Sequence, residues 1–158
     1  MRIRCTTQKS AITTFFRTAR KILDEEITRT LSYLCEQCVV RVKDRDAASS
    51  WEDQTGNLRS SVGYAVYNYG IKQIQSAFEV VKEGTTGARE GKKMVEELAK
   101  QYSETYVALV VAAMSYAEYV ENRRDVLAST ETWAITKIDS YVAKARDRAI
   151  KKINALKL

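Results

Sequence analysis

Between residues 11 and 42, apolar side chains recur at three- and four-residue spacing: Ile12, Phe15, Phe16, Ala19, Ile22, Leu23, Ile27, Leu31, Leu34, Cys35, Cys38, Val39 and Val42. That spacing places them on one face of a single long amphipathic helix, with Ser10 standing where an N-cap belongs. Arg17, Arg20, Lys21, Asp24, Glu25, Arg29 and Glu36 fill the other face. Residues 44–54 are polar and aperiodic, with Trp51 isolated among them. From Leu58 to Tyr67, Val62, Tyr64 and Val66 alternate with smaller or more polar neighbours, as in a half-buried strand, with a short helical turn over Leu58 to Ser61 as the alternative for its start. Asn68-Tyr69-Gly70 reads as a turn, and residues 73–82 as a second strand paired with the first. Residues 85–91 read as a flexible segment and 92–102 as a short helix. Tyr106, Val107, Leu109, Val110 and Val111 form a nearly continuous apolar run, the pattern of a strand buried on both faces at the centre of a sheet. From Ser129, the residues Trp133, Ala134, Ile138, Tyr141, Val142, Ala145, Ala149 and Ile153 keep helical spacing for about six turns. The order implies an α+β fold: a small antiparallel sheet covered on one face by long N-terminal and C-terminal amphipathic helices.

The 158 residues suit one domain, 1–158, with residues 1–9 a flexible N-terminal segment. No apolar run is long enough to cross a bilayer, so no membrane contact is expected. The positive N-terminus has no apolar stretch behind it and does not read as a secretory signal. Three cysteines, Cys5, Cys35 and Cys38, are an odd number and argue against a disulfide framework. The net charge of +6 is compatible with nucleic acid and equally with an acidic protein partner.

The absence of histidine removes the usual general base and the commonest metal ligand. Cys35-Glu36-Gln37-Cys38 has C-x-x-C spacing, but it lies inside the first helix on its apolar face, where the cysteines read as small core hydrophobes. The Gly84–Lys93 segment fails as a phosphate-binding loop: three residues, not four, separate Gly87 from Gly91, and no Ser or Thr follows Lys92. Asp24, Glu25 and Glu26 read as exposed carboxylates paired along the helix. No catalytic residue, cofactor or metal is expected. The basic C-terminal tail, with Lys137, Lys144, Arg146, Arg148, Lys151, Lys152 and Lys157, leaves nucleic-acid contact open as an alternative function. Tyr64, Tyr67, Tyr69, Tyr116 and Tyr119 gather near strand ends and turns, positions that serve cores and interfaces alike.

Trp51-Glu52-Asp53-Gln54-Thr55-Gly56-Asn57-Leu58-Arg59-Ser60-Ser61-Val62-Gly63-Tyr64 resembles a segment of small neck and tail-component proteins of tailed bacteriophages. In that family, Thr-Gly-x-Leu-Arg-x-Ser closes a loop after a long N-terminal helix and starts a strand. Ser115-Tyr116-Ala117-Glu118-Tyr119-Val120-Glu121 is similar to the family's Tyr-Ala-x-Tyr-Val-Glu segment, and the long basic helix stands where the family ends with one. The resemblance covers about residues 10–153. It departs after Glu121, where Asn122-Arg123-Arg124 replaces an aromatic and a glycine.

The resemblance implies a non-enzymatic virion protein, located at the neck or proximal tail and in the host cytoplasm before assembly. It would be a head-tail joining or tail-completion subunit in a ring of six-fold or twelve-fold symmetry. Its partners would be other copies of itself, portal or adaptor proteins and tail proteins, with DNA close by. Trp51, Asp53, Thr55, Gly56, Asn57, Arg59, Tyr116, Tyr119, Glu121, Arg123 and Arg124 would then meet neighbouring subunits. Gly56 is read as a turn at positive φ, Asn57 as a cap for the following turn, Leu58 as a core anchor and Arg59 as reaching outward. On that reading Trp51→Ala and Arg59→Ala leave the domain folded.

Overall fold

The computed structural model describes residues 8–45, 51–52 and 54–156. Along the chain, α1 (Lys9–Lys43) is followed by α2 (Asn57–Ser61), β1 (Val62–Asn68), β2 (Ile71–Gln75), α3 (Thr85–Ala99), β3 (Tyr106–Ala112), α4 (Ala117–Glu121) and α5 (Ala128–Asn154). The α+β class is as the periodicity implies, with a long helix at each end and a small antiparallel sheet ordered β2-β1-β3. The β1–β2 hairpin closes through Tyr69 (φ 48°) and Gly70 (φ 77°). Two left-handed residues in succession give the turn whose twist matches that of the flanking strands.

The layering differs from a sheet covered on one face. Val62, Tyr64 and Val66 of β1 face α1, where Tyr64 and Val66 pack with Cys35, Leu31 and Val39. Ala65 and Tyr67 face the other way, into a cluster with Phe78, Ala88, Val95, Ala99 and Val111 under α3. The sheet is thus sandwiched between α1 and α3, while α5 lies along α1. Tyr33 meets Tyr141 with ring centroids 5.7 Å apart, and Arg41 stacks 4.8 Å over Trp133. β1, expected to be half-buried, is buried on both faces and forms the sheet's centre. β3, whose apolar run suggested the centre, is an edge strand.

Three further expectations need correction. Ser10 is inside α1, and the cap position belongs to Gln8, whose side chain makes no capping bond. The second strand ends at Gln75, not Lys82. Beyond it, Phe78 adopts φ 51° and drives its ring between β1 and α3. A Cβ on Gly63 or on Gly91 would lie 2.4 Å from that ring, so the two glycines make its slot. Finally, residues 85–91, expected as a flexible segment, are the first half of α3.

Candidate subunit interface

The Thr-Gly-Asn-Leu-Arg-Ser-Ser segment is wired into the fold almost atom by atom. Gly56 has φ 80°, and a Cβ there would sit 1.9 Å from the Val81 carbonyl oxygen. Asn57 caps α3, not its own turn: its Oδ1 accepts the Gly87 N–H at 3.0 Å, one of the donors left over at that helix's start. Thr55 Oγ1 accepts from the Asn57 backbone N–H (3.3 Å) and from its Nδ2 (3.2 Å). Leu58 is buried beside Val62. Arg59 turns inward instead of reaching out. Its guanidinium lies 5.5 Å from the Trp51 ring centroid and donates to the Lys43 carbonyl, placing a cation at the C-terminus of α1. Ser60 Oγ accepts the Val81 N–H (2.8 Å), and Ser61 Oγ accepts the Ala113 N–H (3.0 Å) while donating to the Leu58 carbonyl (2.7 Å). Seven consecutive residues thereby tie α1, α3, β3 and the residue-81 backbone to the start of β1.

Trp51 is a core residue, only 5% exposed, in a cluster with Val42, Leu58, Val62 and Val126. Ala117, Val120 and Leu127 pack against the same cluster, so the two segments singled out by the resemblance do converge on one end of the molecule. Glu121 serves the fold as well. Its carboxylate accepts the N–H groups of Val126 (3.0 Å), Leu127 (2.7 Å) and Ala128 (2.9 Å), placing negative charge at the N-terminus of α5. Beside it, Arg45 pairs with Asp125 at 2.7 Å and donates to the Asp125 carbonyl and to the Thr130 hydroxyl. Burial works against the Asp125 charge, but the Ser129 hydrogen bonds and the Arg45 guanidinium outweigh it and hold that carboxyl below its ordinary range.

Among the candidates, those that face outward at this end are therefore Thr55, Tyr116, Tyr119, Arg123 and Arg124. Arg123 stacks 4.4 Å over Tyr119, which is 58% exposed. Asp53 lies outside the described residues. The structure thus separates the candidates into Trp51, Gly56, Asn57, Arg59 and Glu121, which hold the end together, and an aromatic–arginine surface that this framework supports.

Pattern reading missed Glu26. Asp24 and Glu25 pair along the helix with Arg20 (3.9 Å) and Lys21 (3.8 Å), whereas Glu26 is 2% exposed between α1 and α5. Arg148 Nε donates to it at 2.7 Å and Lys152 Nζ at 2.6 Å, and Arg148 also donates to Thr30 Oγ1 at 2.8 Å. Hydrogen bonds from Lys152 and Arg148 outweigh burial and lower the Glu26 pKa. The apolar i, i+4 rhythm of α5 gave one signal, since Arg148 and Lys152 share the side of α5 bearing Ala145 and Ala149.

Cys35 and Cys38 are buried and free, and burial pushes the Cys35 thiol up to about 12, far from a reactive thiolate. No group of three or more His, Cys, Asp or Glu side chains suited to a metal occurs among the described residues, and no helix there is long and apolar enough to cross a membrane. No protein-family model, curated protein or solved structure matches this chain.

Proposed function

We propose that this protein is a structural subunit of a tailed-bacteriophage particle, part of the ring that joins head to tail, and not an enzyme. The observation that carries the reading is the Thr-Gly-x-Leu-Arg-x-Ser segment with its context. It follows a long helix, closes a loop and starts the central strand, in the order the resemblance implies. Each of its polar side chains has a folding task, which accounts for a motif of this kind in a protein without an active site. The exposed Tyr116, Tyr119, Arg123 and Arg124 sit on the end that this segment braces, and Tyr and Arg are the residue types that dominate binding surfaces.

A test follows from that division. The double variant Tyr119→Ala, Arg124→Glu alters only exposed side chains, so its thermal midpoint should stay within a few degrees of the parent. Complementation of a phage lacking the protein should nevertheless yield unjoined heads and tails by electron microscopy. Wild-type yields of joined particles would remove this end from the interface.

Nucleic-acid binding is the second reading, and one observation favours it. The helix pairing brings Lys9, Arg17, Arg20, Lys21 and Arg29 to the same end as Lys144, Arg146, Arg148, Lys151 and Lys152, against Asp24, Glu25, Glu26 and Asp147. That excess equals the chain's whole formal charge of +6. This reading requires DNA affinity that falls steeply with added salt.

A further inference from the structure

β3 has the composition of a central strand and the position of an edge. Tyr106 to Ala112 contains no charged residue and no proline, and its pairing with β1 runs without a bulge. Edge strands of soluble subunits usually carry one of those guards, because an open edge recruits other strands. The Tyr69 N–H to Thr105 carbonyl bond (3.0 Å) fixes the phase of the ladder. Val107, Leu109 and Val111 point their backbone groups at β1, while Ala108 and Val110 point theirs to the side where no strand lies among the described residues.

On the α1 side of that open edge lies an apolar shelf. Leu23, Ile27, Leu31 and Val142 line a cavity of about 290 Å³ that reaches Tyr106. Leu23 is 42% exposed and Val142 50%. At the sheet's other edge, Ile71 and Ile74 of β2 are 68% and 40% exposed. They pair with Asn68 and Val66, so they stand on the same face of the sheet as α1, which covers β1 and leaves them open.

We infer that β3 and β2 are the two halves of one head-to-tail contact between copies of this chain, in which β2 of the next copy extends the sheet beyond β3. β2 and β3 both run antiparallel to β1 and hence parallel to each other. Rotation about an axis along the strands preserves that direction, so the joint is a parallel strand pair repeated around a closed ring. A continuous sheet keeps its faces, so the neighbour's Ile71 and Ile74 land on the Leu23–Val142 shelf. The contact rests on the ring reading above, which supplies a second copy in the same orientation.

The test is disulfide trapping in the full-length chain carrying Cys5→Ser, with buried Cys35 and Cys38 retained. Neighbouring strands lie about 4.8 Å apart, within disulfide reach. Ala108→Cys combined with Ile71→Cys or with Ile74→Cys, two registers of the same joint, should give a ladder of multimers on oxidation, and none of the three single variants should crosslink. Adding Ala108→Pro in place of Ala108→Cys controls for folding: that N–H has no partner in the subunit's own ladder, so the melt should persist while sedimentation shows smaller assemblies. A covalent dimer from Ala108→Cys alone would mean that β3 pairs with itself, and oligomers or monomers without a ladder would place the contact elsewhere or nowhere. Each of those outcomes overturns the inference. None bears on whether the protein resides at the neck, which particle labelling decides separately.

Discussion

Trp51→Ala should lower the stability of the isolated protein by about 3–5 kcal/mol, the usual cost of deleting a buried large aromatic. The indole fills the space between Val42 at the end of α1, Leu58 of α2, Val62 of β1 and Val126 before α5, so its removal opens a cavity where four parts of the chain meet. Arg59 would also lose the ring it stacks on. Trp51→Phe separates packing from polarity. The Trp51 indole N–H is buried without a hydrogen-bond partner among the described residues, so phenylalanine forfeits no hydrogen bond and should cost far less than alanine. Urea denaturation of the two variants checks this. An alanine variant within about 1 kcal/mol of the parent would return Trp51 to the surface role that its polar surroundings in the sequence suggested.

The double variant Arg148→Ala, Lys152→Ala should cost less, about 1–2 kcal/mol at neutral pH, because both cations are half-exposed and their removal lets water reach the carboxylate. It strands the Glu26 carboxylate, 2% exposed, without either cation. The reverse change, Glu26→Ala, should be milder, because the Arg148 and Lys152 side chains are 44% and 53% exposed and water can resolvate them. The pH dependence carries its own sign. In the parent, the folded-state pKa of Glu26 is lowered, first by the Lys152 hydrogen bond and then by that of Arg148. The stability it contributes is present above the unfolded carboxylate value of about 4.3 and is lost as pH falls through the folded value. In the double variant, burial without cations favours the protonated acid, so the gap between parent and variant should narrow as pH drops towards 4. A gap that stays constant from pH 7 to pH 4 would mean that Glu26 is not the group responsible.

How much of this was legible beforehand follows from how local each determinant is. The long helices and the Tyr69-Gly70 turn are written in nearest-neighbour spacing, and both are found where that spacing puts them. The first turns of α3 were not legible, because the residue that caps Gly87 is Asn57, distant in the chain. Glu26 looked like one of three exposed carboxylates, since its partners lie on the last helix. β3 carries a central strand's composition at an edge, and no local pattern distinguishes the two positions. Within the candidate site, the left-handed Gly56 and the buried Leu58 could be read directly. The inward turn of Arg59 could not, because its acceptor, the Lys43 carbonyl, comes close only in the folded chain.

The same division shapes the functional account. Trp51, Gly56, Asn57, Arg59 and Glu121, singled out by resemblance, proved to be framework, and the exposed Tyr119–Arg123 stack and Arg124 are what that framework displays. A ring subunit needs little more than rigid presentation of such surfaces, since modest contacts repeated around a ring accumulate.

The most direct test is immunogold electron microscopy of tailed-phage particles produced by the source of this chain, the particles proposed to contain it, using an antibody raised against the full-length chain and disrupted particles to expose covered epitopes. The account predicts gold at the head-tail junction, visible at least in disrupted particles. Absence of label from intact and disrupted particles alike would contradict the structural role and make salt-dependent DNA binding the reading to pursue.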